Sequence, residues 1–147
     1  MTIRNTTLAA AILFAAACGG RADGTPEIVV DRTACSHCGM LVSELVYAAA
    51  YQVAGADARV FDDLGCLRKA ARGERTDLRV WVHDATTGAW IDGRAATFVS
   101  SAEIRTPMGG GILAYRDPAD ADRAARKFRG RIIRSLSSLL DTKESAS

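Results

Sequence analysis

Six consecutive residues, Cys35-Ser36-His37-Cys38-Gly39-Met40, carry two thiols, an imidazole and a thioether. Donors of this softness suit three chemistries. Thiolate and thioether prefer a soft ion such as Cu(I). A Cys-x-x-Cys pair can cycle between dithiol and disulfide. Two thiols and an imidazole are also a partial zinc set, which needs a fourth ligand to close.

Three more donors lie further along the chain. Cys66 follows the paired aspartates Asp62 and Asp63. His83 ends the run Leu78–His83, and Met108 stands in Thr106-Pro107-Met108-Gly109-Gly110-Gly111. Each also has a plain reading. Met40 precedes Leu41-Val42 and could fill a core, and Cys66 could be a small buried apolar residue. His37 could be a solvated turn residue, and His83 beside Trp81 reads as structural. Helix capping accounts for Asp62 and Asp63 without acid–base chemistry. A packing methionine is less expected at Met108, where the glycines would let backbone close over an ion or make a hairpin loop. Zinc would need Cys35, Cys38, Cys66 and His37 or His83, and no second paired knuckle supports it. The dithiol reading looks like the periplasmic disulfide oxidoreductases, with Thr106-Pro107 resembling the dipeptide that holds their cis-proline. In that fold the motif opens a long helix, whereas here Gly39 and β-friendly residues follow.

The first residues read as an export signal. Arg4 is followed by the apolar run Leu8–Ala17, whose ten residues are too few to span a bilayer, which takes about 20. Ala15-Ala16-Ala17-Cys18-Gly19-Gly20 then resembles a bacterial lipoprotein signal, with Cys18 as the lipidated N-terminus of the mature chain. Lipidation would leave Cys35, Cys38 and Cys66, an odd number of thiols outside the reducing cytoplasm. Gly19 to Glu27 reads as a tether able to reach about 30 Å when extended. With 19 basic and 17 acidic residues of mixed order, and no basic cluster among aromatics, nothing points to nucleic acid.

About 130 mature residues suit one domain. Ile28–Val30 reads as a short leading strand, Leu45–Val53 as a half-buried strand, and Arg59–Phe61 as its partner across the Gly55 turn. Asp62 or Asp63 caps a helix running to about Arg72, with Leu64, Leu67 and Ala71 on one face and Gly73 stopping it. Leu78–His83 is another strand. Trp90-Ile91 and Thr97–Val99 are strand pieces around a turn, and Ile112–Tyr115 leads to a second helix. That helix is capped by Asp117, has Pro118 in its first turn, and lines up Ala121, Ala124, Ala125 and Phe128. Gly130 ends it and Arg131–Ile133 returns as a strand. Phe61, Asp63 and Ala70–Arg72 align at a constant offset with Tyr115, Asp117 and Ala124–Arg126. The expected class is therefore α+β, with two tandem strand–strand–helix–strand repeats.

Taken in order, Cys38-Gly39-Met40, Phe61-Asp62-Asp63-Leu64-Gly65-Cys66, Trp81-Val82-His83-Asp84, Trp90-Ile91-Asp92-Gly93 and Thr106-Pro107-Met108-Gly109-Gly110-Gly111 resemble the NosL family. These are copper-binding lipoproteins that act as accessory factors for nitrous oxide reductase. The resemblance covers roughly Val30 to Ile133 and implies a pair of strand–strand–helix–strand repeats related to an organomercurial-lyase domain. It also implies Cu(I) binding through the cysteine and methionine of the Cys-Gly-Met element, Cys38 and Met40, or through the later methionine, Met108. Cys35 and Cys66 exceed that pattern and belong with two-cysteine variants.

The expected organisation is a signal peptide over 1–17 and a lipid-anchored tether over 18–27. A NosL-like copper-binding domain follows over 28–134, with repeats of approximately 38–84 and 90–134, and then a flexible tail over 135–147. The expected metal ligands are Cys35, Cys38, Met40 and Met108, with Cys66 and His37 as additional metal or redox donors and Cys18 as the lipidation site. The expected function is a non-enzymatic, exported, membrane-anchored Cu(I) chaperone for an extracytoplasmic copper enzyme, with nitrous oxide reductase and its maturation machinery as partners. Outer-membrane placement is favoured because Gly19 is not the aspartate associated with inner-membrane retention. A homodimer would complete a site short of donors. The alternative is a thiol–disulfide oxidoreductase using Cys35 and Cys38.

Overall fold

The structure is a computed structural model that describes residues 24–74 and 77–141. The signal peptide, Cys18, most of the tether and residues 142–147 lie outside the described residues.

Strand β1 (Ala49–Val53) turns at Gly55, whose φ is 79°, into antiparallel β2 (Arg59–Phe61). Asp63 then caps helix α1 (Leu64–Ala71), and the chain returns as β3 (Leu78–His83), antiparallel to β1 on its other side. β2 and β3 thus run the same way with β1 between them, and α1 packs across that gap. Strand β4 (Trp90–Asp92) adds to the far edge of β3, giving the order β2-β1-β3-β4. The second sheet repeats the plan. β5 (Thr97–Ser100) pairs with β6 (Ile112–Tyr115), helix α2 (Pro118–Lys127) follows its Asp117 cap, and β7 (Arg131–Ile133) returns beside β5 in the order β6-β5-β7.

Both faces of β1 are buried over Ala49–Tyr51, which explains the apolar run ahead of Gln52. Ala49 and Tyr51 face the main core with Leu64 and Leu67 of α1, while Ala50 joins Val42, Val60 and Trp81 on the opposite face. The main core continues into the second sheet through Phe98, Ile112, Ala114 and Ile133, so one apolar interior joins both sheets. Ala121 and Ala124 of α2 cover the outer face of the second sheet beside Val99, Leu113 and Tyr115. A parallel bridge between Asp84 and Ala114 stitches the sheets together. Burial alone would raise the Asp84 carboxyl. Hydrogen bonds from the Thr87 hydroxyl and the Arg116 and Thr86 amides, with the nearby Arg116 charge, hold it below the ordinary carboxylate value instead.

Four expectations change. Ile28–Val30 is not a strand, because Asp31, at φ 60°, turns the chain and the Arg32 and Thr33 amides close on Val29. The strand expected from Leu45 begins at Ala49, since Tyr47 and Ala48 donate back to Glu44 and Leu45 in a turn. Trp90-Ile91 does not open the second unit. It pairs with Val82 and His83 in the first sheet through a turn at Gly88, φ 71°. The tail expected from residue 135 instead forms helix α3 (Leu136–Asp141), whose Leu136 and Leu139, three apart, are buried in the main core. At the other end Thr25, inside the expected tether, is buried too.

Candidate metal centre

The knuckle is a tight loop closed at its base. Ala34 and Leu41 form an antiparallel bridge, the Cys35 amide donates to the Met40 carbonyl at 2.7 Å, and the Gly39 amide donates back to Cys35 at 2.9 Å. Gly39 sits at φ 75°, a conformation that side chains resist, which is why glycine separates Cys38 from Met40. The loop docks on the first sheet through the Ser36 amide, which donates to Val60 of β2 at 2.8 Å. That docking sets Cys35 against the start of α1, where Cys66 is the third helical residue.

As a result, the Sγ atoms of Cys35, Cys38 and Cys66 all lie within 4.8 Å of one another. Three sulfurs at about 2.3 Å from a common ion, the usual thiolate–metal distance for a d10 ion, would sit about 4.0 Å apart in a trigonal set. A linear pair would be about 4.6 Å apart on the same distance. The cluster matches that size. All three thiols are free; Cys35 and Cys66 are buried and Cys38 is exposed, so the cluster opens to solvent on the Cys38 side.

The buried thiols differ in acidity. Burial pushes Cys35 up, but hydrogen bonds from the Asp62, Cys38 and His37 backbone amides and the Cys38 thiol outweigh it, leaving Cys35 below the ordinary thiol value. Cys66 moves the other way. Its burial, the charge of Cys35 beside it, and the charges of Asp63 and Cys38 drive it far above the ordinary range, and its thiol donates to Cys35. A helix N-terminus alone would acidify Cys66, but burial and the neighbouring negative charge outweigh the dipole. Cys35 is thus the more readily ionised of the two buried thiols, and a bound cation would displace the cluster's protons.

The remaining candidates separate clearly. His37 is exposed and does not join the cluster. His83 does not join it either. Its Nδ1 stands 2.8 Å from the Ala48 carbonyl, an acceptor, so Nδ1 carries the proton, and the ring stacks on Trp90 at 3.7 Å. No histidine or carboxylate completes a fourth zinc position among the described residues. The oxidoreductase arrangement also differs: Cys66, not the Cys35–Cys38 pair, stands at a helix start, and no described peptide bond is cis. Met40 and Met108 are both exposed, at 59% and 39%, and each belongs to a segment anchored near the cysteines.

The two aspartates do more than cap a helix. Asp62 does not cap α1; its side chain accepts the Ser43 amide at 3.1 Å, fastening the segment after the knuckle. Asp63 does cap, taking the Cys66 amide on Oδ1 at 2.9 Å. Its Oδ2 accepts the Thr106 hydroxyl at 2.7 Å, the Met108 amide at 3.2 Å and the Gly110 amide at 3.0 Å. The glycines of that loop close it over the helix start: Gly110 lies so near Gly65 that a Cβ on Gly65 would sit 2.7 Å from the Gly110 Cα. No local signal in the chain announces this partnership, since the partners are more than forty residues apart.

The fold is similar to that of the copper chaperone NosL from Shewanella denitrificans. The TM-score is 0.70 at 18% identity, over 83% of this chain and 98% of that one. No curated protein sequence matches the chain. The NosL family model matches residues 26–137, a span that takes in the knuckle, α1 and the Thr106–Gly111 loop. On that match the chain belongs to the NosL family.

Proposed function

We propose that this protein is an exported, membrane-anchored carrier that binds Cu(I) as cargo and passes it to an extracytoplasmic copper enzyme. The observation that carries the reading is the cluster of three thiols, of a size to hold one soft ion, on a NosL fold. Cu(I) accepts two to four ligands and prefers thiolate and thioether to oxygen. Cys35, already inclined to ionise, supplies the first thiolate, and Cys66 and Cys38 lose their protons as the ion arrives. Exposed Cys38 is the thiol that a receiving ligand would meet first. Met40 and Met108 carry thioethers that stay neutral and unprotonated, which suits them to exchange rather than storage.

Three thiols on one chain supply a trigonal set, so no second copy is needed to complete the site. A lipid on Cys18 and the tether after it would hold the domain at the membrane, and nitrous oxide reductase is the client that the NosL kinship favours. No described helix is long and apolar enough to cross a membrane. The deciding experiment is a competition titration of the reduced protein, in detergent, against a chromophoric Cu(I) chelator. Transfer of one Cu(I) per chain is expected; no transfer from the chelator would refute the reading.

A further inference from the structure

We infer that Asp63 is a positioning residue for copper handover: it keys the Met108 loop to the thiol cluster, so that the Met108 thioether is held as an exchange ligand. The inference rests on the copper reading and adds to it a residue that never touches the ion.

Asp63 does far more than a helix cap requires. Asp117 occupies the same place before α2, is exposed, and accepts the Ala119 amide. Asp63 is 0% exposed, and its carboxylate takes four donors, one from the helix it caps and three from a loop more than forty residues along the chain. Each carboxylate oxygen offers about two acceptor sites, and three of the four donors converge on Oδ2. One oxygen holds the backbone of Cys66 and the other holds the backbone of Met108; a single carboxylate therefore sets the spacing between thiol and methionine segments. Thr106 completes the clamp, because its hydroxyl donates to Asp63 while accepting the Gly111 amide at 3.1 Å. The result is a methionine whose backbone is pinned on both sides and whose side chain is left at the surface. Met40 stands on the knuckle itself, and among the described residues no comparable clamp reaches it from another part of the fold. Asparagine at 63 could not reproduce the arrangement, since its NH₂ faces donors where the second oxygen faced them.

The test uses full-length, exported protein in detergent, labelled with selenomethionine and carrying Met40→Leu, so that Met108 supplies the selenium of the mature chain. X-ray absorption after loading with one Cu(I) is expected to show both Cu–S and Cu–Se scattering. Adding Asp63→Asn or Thr106→Val should at least halve the Cu–Se contribution and leave Cu–S in place. Thr106→Val leaves the Asp63 cap on Cys66 intact, so it decides the matter if Asp63→Asn does not fold. In the copper-free Thr106→Val protein, the Met108 and Gly110 amides should exchange hydrogen about tenfold faster. No Cu–Se signal in the Met40→Leu parent, or an unchanged one in folded Thr106→Val, would overturn the inference while sparing the copper reading. Absence of Cu–S scattering in the unsubstituted protein would overturn both.

Discussion

Replacing Gly110 by alanine tests whether the methionine loop is truly packed on the cysteine-bearing helix. The added Cβ would lie 2.8 Å from Asp63 Oδ2, 2.8 Å from the Gly65 nitrogen and 2.9 Å from the Gly65 Cα. Carbon atoms in contact prefer about 3.5 Å or more, so the loop must retreat by about 0.6 Å. None of these neighbours is the yielding end of a long side chain: two are helix backbone, and the third is a fully buried carboxylate. Gly110 itself is not among the glycines with positive φ, so the cost comes from contact rather than backbone strain. Overpacking of this kind costs about 1–3 kcal/mol, and a retreat that breaks one hydrogen bond to Asp63 adds about 1 kcal/mol. The expected loss is about 2–4 kcal/mol, a fall in Tm of about 8–16 °C for a domain just over 100 residues long. Thermal unfolding of the copper-free, reduced protein followed by circular dichroism reads this directly. Gly73→Ala is the control, because its new Cβ meets only the Ala70 carbonyl at an ordinary 3.7 Å. If Gly110→Ala lowers Tm no more than Gly73→Ala, the loop is not seated on α1 and the geometry argued for Asp63 fails.

Cys38→Ser should weaken Cu(I) binding strongly in the chelator competition, whereas His83→Ala should leave affinity intact and lower stability by about 2 kcal/mol or more through its lost stack and buried hydrogen bond; equal effects on affinity would mean the site is misplaced. The copper-free protein should show a two-sided pH dependence in urea unfolding. Cys35 is more acidic folded than unfolded, so it adds stability that is present above the ordinary thiol value of about 8.5 and lost as pH falls through its own lower value. Cys66 is less acidic folded, so its contribution is full below about 8.5 and is lost as pH rises above that. Cys66→Ser should therefore flatten the decline between about pH 8.5 and 9.5, and a decline of unchanged slope there would refute the assignment. Finally, Cys18→Ser should move the protein from the membrane fraction to the soluble one; unchanged fractionation would remove the lipid anchor from the proposal.

Much of the architecture was legible because its signals are local. Asp63 and Gly73 bound α1, and Asp117, Pro118 and Gly130 bound α2, because caps and stops act within a turn of the residues they govern. The alternation in Leu78–His83 and the run Ile112–Tyr115 likewise marked buried strands. The errors fall where a segment's state depends on a distant partner. Trp90–Asp92 looks the same whether it opens a second unit or edges the first; only its pairing with Trp81–His83 decides. Leu136 and Leu139 sit in a short serine-rich stretch that becomes a helix because the main core receives them.

The candidate site divides the same way. The chain alone determined that Cys35, Cys38 and Met40 would share a turn, since two intervening residues and a glycine leave little else. It also determined the donor softness that favours Cu(I) over harder ions. Tertiary structure decided that Cys66 joins them and His37 does not, because the Ser36–Val60 hydrogen bond sets the knuckle against the start of α1. It decided the acidity order as well, since burial and a neighbouring thiolate, rather than the helix dipole, govern Cys66. And it turned Asp63 from a cap into the joint between two metal-donor segments, a role defined by chain crossings that no stretch of neighbouring residues contains.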